Sequence, residues 1–426
     1  MVVGNRFIIT GLCAISIFIL GSRYLYNKAP HSSDVTNLPR VSEPEQVQET
    51  QAPWKAFSTL SSKQSALQTA VIFSPDSRFL LVGYQNGSIE VWDVEKQILQ
   101  RTWAIPHPVK IFAFSPDENQ LAGASSGAND TSIYLWEWPS GKLLHELRGH
   151  ATKRSAEYLY EDSDCYCTSN SLRYTTNGQL VSASSENGTI NFWDPKSGQL
   201  VRSITIPLGN VTECVEDSSH EKLTSDVPEY EAIAVSSDQK YIASTHNCTF
   251  YPLEKYPDWD PEIAYDYRNE VCVNLWDGTT GNQTKTIATD IIDYARDAGT
   301  NELTFSPNGT YLAIGCAKAL VCLINTHDWS AKMLDLSECR NRGLSLHERY
   351  SLIFSPQSDF VAATVNEDWI RTRAAILWDV TSGNIVQKWE LGYQISFSPN
   401  GQLFAVCMLS AQVNSTHPST IQLFKH

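Results

Sequence analysis

Several kinds of chemistry lack their motif in this chain of 426 residues. Its ten cysteines contain no C-x-x-C pair, so zinc-ribbon and thioredoxin-like sites are without their spacing. There is no H-E-x-x-H helix and no Walker-type phosphate loop. Basic residues are in deficit: 32 Lys and Arg stand against 47 Asp and Glu, for a formal charge of −15 and a pI near 5.1. A chain so charged repels phosphate backbones, which excludes nucleic acid as a general partner and favours a basic partner or a cation. Gly123-Ala124-Ser125-Ser126-Gly127 matches G-x-S-x-G. A nucleophile elbow needs a strand-to-helix turn, and this segment reads as strand running into a strand-strand loop. Asp258-Trp259-Asp260-Pro261-Glu262 offers oxygen ligands for Ca²⁺ but has neither the spacing nor the glycine of an EF-hand. No catalytic set, no cofactor and no metal site is expected.

What is present begins with an apolar run, Phe7 to Gly21, between Arg6 and Arg23. Read on through Tyr26 it reaches about twenty residues, roughly the thickness of a bilayer, with Arg23 free to snorkel. Ile19-Leu20-Gly21 makes a poor cleavage site. Residues 1–28 are therefore read as an uncleaved single-pass anchor, with a cleaved signal segment as the alternative. Residues 29–53 hold four prolines among Ser, Thr, Gln and Glu with no apolar period, the composition of a flexible linker. Charge on the two sides of the anchor does not fix its orientation; the remainder is expected to be extracytoplasmic.

From Trp54 the chain repeats itself. The units are VIFSPDSRFLLVG from Val71, FAFSPDENQLAGA from Phe112, LRYTTNGQLVSAS from Leu172, IAVSSDQKYIAST from Ile233, LTFSPNGTYLAIG from Leu303, LIFSPQSDFVAAT from Leu352 and ISFSPNGQLFAVC from Ile395. Each is an apolar strand, a tight polar turn and a second apolar strand. Most continue into a third strand ending in an aromatic, such as IEVWD at Ile89 or INFWD at Ile190, and then a fourth, such as QLVRSI from Gln199.

These units resemble the WD-repeat family over residues 54–426. Trp-Asp stands at Trp92-Asp93, Trp193-Asp194, Trp276-Asp277 and Trp378-Asp379, and is altered at Trp136-Glu137, Ile324-Asn325 and Phe424-Lys425. Seven matches in register are a strong signal. The resemblance implies an all-β, seven-bladed propeller of four-stranded blades, with the spare strand WKAFSTL at Trp54 to Leu60 completing the last blade. It also implies scaffolding without intrinsic catalysis. The family's Gly-His survives only at Gly149-His150. Its Asp-His-Ser-Trp network is then mostly absent, and packing is expected to hold the blades.

Extra chain is concentrated at Ala151–Asn170, Pro207–Glu229 and His246–Glu270. In a propeller all three fall on the face that carries the loops between second and third strands and the connections between blades; the opposite face has only short turns. By charge the three insertions carry −2, −5 and −4, most of the chain's excess. Loops on a rigid scaffold are where binding usually sits. The expected partner-binding residues are Glu161, Asp162, Asp164, Glu213, Glu216, Asp217, Tyr256, Asp258, Trp259, Asp260 and Tyr265, an acidic and aromatic surface over blades two to four suited to a protein with a basic surface. The competing reading is a solvated acidic face with aromatics packed on the rim. Cys165, Cys167, Cys214 and Cys248 read as lying in exposed loops of this sector, either as disulfides or as unpaired thiols. The expected function is a non-catalytic, membrane-tethered protein-interaction platform. The alternative is an extracytoplasmic sensor or binding propeller for a small cation, peptide or glycan.

Overall fold

Each repeat unit closes through the same turn. The first and second strands of all seven blades are separated by five residues, 74–78, 115–119, 175–179, 236–240, 306–310, 355–359 and 398–402. The first of the five is a hydroxyl residue, whose oxygen accepts the backbone N–H that ends the turn: Ser74 from Phe79 at 2.8 Å, Thr175 from Gln179 at 3.0 Å, Ser398 from Leu403 at 2.8 Å. The same hydroxyl donates to an acidic or amide side chain within the turn, as Ser236 does to Asp238 at 2.7 Å. The fourth residue is left-handed in every blade. It is glycine in three, at Gly178, Gly309 and Gly401, and Ser77, Glu118, Gln239 and Ser358 in the others.

The computed structural model describes residues 54–125, 132–150, 169–184, 188–206, 220–223, 232–252, 268–288, 302–315, 321–334, 351–367, 372–408 and 420–426. The expected anchor and linker, residues 1–53, lie outside the described residues. Among the described residues no helix is long and apolar enough to cross a membrane.

The described strands form seven antiparallel sheets. Blade 1 comprises Gln68–Phe73, Phe79–Tyr84, Ser88–Asp93 and Ile98–Ala104, in that order from the axis outward. Blades 2 and 3 repeat it from Val109 to Leu147 and from Ser169 to Thr205. Blades 5 and 6 run from Leu303 to Met333 and from Leu352 to Glu390. Blade 7 is built from both ends of the repeat region: Gly392–Phe397, Leu403–Met408, Thr420–Lys425 and, outermost, Lys55–Ser61. Lys55 lies opposite Lys425 and Leu60 opposite Ile421, so the N-terminal strand closes the ring as expected. The innermost strands touch their neighbours in sequence, and that of blade 7 touches that of blade 1. Closure leaves the sheets no open lateral stack.

The core lies between blades. Ala243, Val273 and Leu275 of blade 4 pack on Leu312, Ile314 and Leu323 of blade 5, while Ile242 and Trp276 on the other face pack toward Val181, Phe192 and Ile204 of blade 3. Fully burying each such aliphatic contributes about 1.5–3 kcal/mol. At the closure Trp54, 2% exposed, sits among Phe360, Phe397, Phe404 and His426, with ring centroids 5.0–6.4 Å away.

Polar staples add to this packing. A side chain on the outermost strand repeatedly reaches the turn between third and fourth strands of the next blade. Arg101 donates to the carbonyl of Ser140, Arg202 to those of Gly278 and Thr279, and Lys332 to those of Val380 and Thr381. His145 Nε2 lies 3.1 Å from the Lys196 carbonyl, and Lys285 stands over the Trp329 ring. The carbonyls of these turns converge, which makes each a local acceptor site for a cation.

The tryptophan networks depart from expectation. Blade 3 keeps the Trp, Ser and His of the family's network: Trp193 Nε1 donates to Ser182 Oγ at 2.9 Å, and His150 bridges Ser182 and, instead of an aspartate, Thr189 at 2.7 and 3.0 Å. Burial lowers the His150 pKa to about 4, so its ring is neutral there. In blade 4, Trp276 donates to Ser244 at 2.9 Å. Blade 1 uses a different acceptor. Glu90, 2% exposed, takes hydrogen bonds from Ser62 at 2.9 Å, Tyr84 at 2.7 Å and Trp92 at 3.0 Å. Packing is thus joined by hydrogen bonds even where the Gly-His pair is missing.

Candidate protein-interaction face

Blade 4 breaks the regular plan. Its second strand is Tyr241–Pro252 and its third Arg268–Asp277, twelve and ten residues, against five or six in blades 1, 2, 3, 5 and 7. At about 3.4 Å per residue, the six added residues of the second strand lengthen it by about 20 Å. A fifth strand, His220–Leu223, joins it from the connection between blades 3 and 4. It pairs with the far half of the second strand, Leu223 opposite Thr249 and His220 opposite Pro252, while Ala232–Val235 pairs with the near half. Blade 4 therefore keeps the four strands expected of a propeller blade and gains a fifth from the insertion. The physical reason is that two insertions adjacent on one face satisfy their backbone groups by pairing with each other.

The result is a three-stranded arm. Antiparallel alternation puts the extension at the end where second strands leave and third strands return, the face that also carries the connections between blades. Blade 6 is extended at the same end, with strands Phe360–Glu367 and Thr372–Asp379. On the opposite face every turn between first and second strands has five residues, and those between third and fourth strands have four or five. One face is elaborated and the other plain, as the sequence indicates.

Register fixes which residues of the arm stand side by side. Phe250 is flanked by Lys222 on one strand and Arg268 on the other, Tyr251 faces Glu221, and Cys248 faces Glu270. The described part of the arm thus balances two acidic positions with two basic ones. Cys248 lies on a strand, not in a loop as expected. The His220–Leu223 strand is at the end of its sheet, so among the described strands its second edge has no neighbour. A ribbon with such an edge can receive an extended peptide through main-chain hydrogen bonds.

The description "WD domain, G-beta repeat" matches residues 54–93 and 141–194. The COMPASS component SWD3 of Saccharomyces cerevisiae is 25% identical over 264 residues, covering 61% of this chain and 64% of that protein. With seven antiparallel sheets in a closed ring, these matches support the family. The chain is a WD-repeat β-propeller. Other proteins are similar over shorter stretches. Periodic tryptophan protein 2 of Saccharomyces cerevisiae is 28% identical over 129 residues, 30% of this chain and 12% of that protein. Eukaryotic translation initiation factor 3 subunit I of Phaeosphaeria nodorum is 28% identical over 157 residues, 34% of this chain and 42% of that protein. The matched stretches span less than two thirds of each of these relatives.

All eleven expected contact residues lie outside the described residues: Glu161, Asp162, Asp164, Glu213, Glu216, Asp217, Tyr256, Asp258, Trp259, Asp260 and Tyr265, as do Cys165, Cys167 and Cys214. Of the candidate cysteines only Cys248 has a described backbone position. Sequence reasoning missed the strand at His220–Leu223. The alternation Glu221-Lys222-Leu223-Thr224 is too short to announce a strand, and only its partner reveals it. The G-x-S-x-G match resolves as expected, since Gly123 and Ser125 belong to the second strand of blade 2, with Ser125 buried.

Proposed function

We propose that this propeller is a non-catalytic, membrane-tethered platform that binds a protein partner with a basic surface through the elaborated face over blades two to four. The observation that carries the reading is the arm of blade 4. Two separate insertions pair with each other there, and a hydrogen-bonded extension is added to one face of a ring whose other face has only short turns. Preorganising a loop lowers the entropy lost on binding. The relatives lend support: one is named a component and another a subunit, each of a larger assembly. The acidic stretches that enter and leave the arm supply the charge for a basic partner, and the apolar run at Phe7 to Gly21 supplies the tether.

Co-purification from native membranes tests this. The bait is the intact chain, compared with a form in which Glu213, Glu216, Asp217, Asp258 and Asp260 are changed to Gln or Asn. A partner held by the native form, released by salt and lost from the variant is the expected result. Identical partners on both forms, or none on either, would show that the acidic sector is a solvated face.

A further inference from the structure

The hydroxyl-capped turns of the plain face carry a chemistry that partner binding does not use. Their third residue is Asp in blades 1, 2 and 4, at Asp76, Asp117 and Asp238, and Asn in blades 3, 5 and 7, at Asn177, Asn308 and Asn400. Both side chains serve the turn in the same way. Ser115 donates to Asp117 at 2.6 Å and Ser236 to Asp238 at 2.7 Å, while Ser306 donates to Asn308 at 2.8 Å and Ser398 to Asn400 at 2.6 Å. A backbone N–H two residues on adds a second bond, from Lys240 to Asp238, Thr310 to Asn308 and Gln402 to Asn400, each at 3.0 Å. Thr175 likewise donates to Asn177. All three asparagines are exposed, and each is followed by glycine, at Gly178, Gly309 and Gly401.

With no Cβ on the following residue, little shields its backbone nitrogen from the asparagine side chain. Once that nitrogen has given its proton to solvent, it can attack the asparagine Cγ. A C–N bond forms, the side-chain amide leaves as ammonia, and a five-membered succinimide remains. Water then opens the ring at either carbonyl, giving aspartate or isoaspartate. Water is the only co-reactant, and nothing is oxidised or reduced. The fold opposes the first step at both atoms. The glycine N–H groups donate to the carbonyls of Thr175, Ser306 and Ser398 at 2.9, 2.9 and 2.8 Å, and the amide oxygens are held by the donors above. The turns are also tied to their neighbours: Asn308 N–H donates to Ser358 of blade 6 and Asn400 N–H to Ser77 of blade 1, both at 3.3 Å. Attack therefore waits until a turn opens. Aspartate can then re-form the turn, as the native acids of blades 1, 2 and 4 do, and the Ser115 hydroxyl already holds the Asp117 carboxyl below its ordinary range. Isoaspartate adds a main-chain methylene, for which a five-residue turn has no place.

We infer that Asn177, Asn308 and Asn400 are sites of spontaneous deamidation, suppressed in the closed ring and released when a blade opens. The plain face thereby records past opening, as added negative charge where aspartate forms and as a broken turn where isoaspartate forms. The inference goes beyond the interaction reading and stands without it, because it concerns the opposite face and needs no partner.

The test incubates the full chain at mildly alkaline pH, folded and in guanidinium chloride, and follows aspartate and isoaspartate at each site by mass and elution of the digested peptides. Each of the three asparagines should react at least about tenfold more slowly in the folded chain, since its turn must first open. Ser398→Ala, which removes the hydroxyl that holds Asn400, should speed reaction at Asn400 several-fold in the folded chain and leave Asn308 unchanged. Asn308→Asp and Asn400→Asp should keep the native circular dichroism and urea midpoint. The inference is overturned if folded and unfolded chains react at equal rates, if Ser398→Ala leaves Asn400 unchanged, or if either aspartate variant loses the fold. Circular dichroism checks that Ser398→Ala is folded; if it is not, the comparison of folded with unfolded native chain decides alone.

Discussion

Replacing Glu90 with leucine asks whether hydrogen bonds or packing hold the junction where the ring closes. The carboxylate is buried and takes three donors, from Ser62 at the exit of the closing strand and from Tyr84 and Trp92 within blade 1. Leucine is of similar volume, so little packing is lost. It accepts nothing, however, and strands three donors, all less than a tenth exposed. An orphaned buried donor costs about 1–3 kcal/mol. Three of them give roughly 3–9 kcal/mol, less whatever the Ser62 hydroxyl recovers by rotating. That is a large share of the ~5–15 kcal/mol that holds a folded domain together. Tyr84→Phe alone removes one donor from an acceptor that keeps two others, and should cost about 1 kcal/mol. In the Glu90→Leu/Tyr84→Phe double variant one orphan is gone, so its loss should be smaller than the sum of the singles by about 1–2 kcal/mol. Urea unfolding gives the totals, and hydrogen exchange of blade 1 amides gives the local opening energies in case the blades melt separately. Additive losses in the double variant would refute the reasoning, because packing alone predicts no coupling through the hydroxyl.

Two further outcomes follow from the described contacts. His150 has its pKa lowered by burial to about 4 in the folded chain against about 6.5 unfolded, so the unfolded state binds the proton more readily. Stability should be unaffected by this group above pH 6.5, fall as the pH drops from 6.5 toward 4, and level off below. The difference between the native chain and His150→Gln in pH-dependent unfolding isolates a loss of roughly 3 kcal/mol across that window, and equal slopes would contradict it. Arg202 lies 3.7 Å from the Phe192 ring centroid and donates to Gly278 and Thr279 of the next blade. Arg202→Met keeps the stem and loses the staple, and should cost about 1–2 kcal/mol in urea unfolding; a change under about 0.3 kcal/mol would mean that the outer staples are solvated decoration.

The repeat was legible because its signals are local. A hydroxyl, a polar turn residue and two flanking apolar strands recur within thirteen residues, and each recurrence is a complete hairpin. Closure by the N-terminal strand was legible too, since a last unit without a fourth strand and a first unit with a spare one require each other. Glu90 was not. A glutamate in an apolar strand reads as a solvent-facing position, and only the convergence of Ser62, Tyr84 and Trp92, up to 28 residues away, makes it an internal acceptor. The inter-blade staples were hidden for the same reason. Arg101, Arg202 and Lys332 are ordinary edge-strand cations until the next blade's turn carbonyls are placed beside them. Left-handed turn residues such as Glu118 and Gln239 carry no glycine to mark them; the conformation is imposed by the hydroxyl-capped turn.

The two faces of the ring differ in how their backbone groups are satisfied, and this bears on where binding sits. On the plain face each turn is closed within itself by its own hydroxyl and acidic or amide side chain, and the outer turns are further occupied by the preceding blade's cations. Little there is left to offer a partner. On the elaborated face the chain extends outward; blade 4 lengthens its second strand by about 20 Å, and the strand His220–Leu223 pairs with it and ends the sheet at an edge that no other described strand covers. Unpaired strand edges are costly to leave exposed, because they invite association with other chains. Each blade's outermost strand is also a sheet edge, but the strand His220–Leu223 is an edge that the regular four-strand plan does not supply. That position, and not the acidic composition alone, is what makes blade 4 the first place to seek a partner.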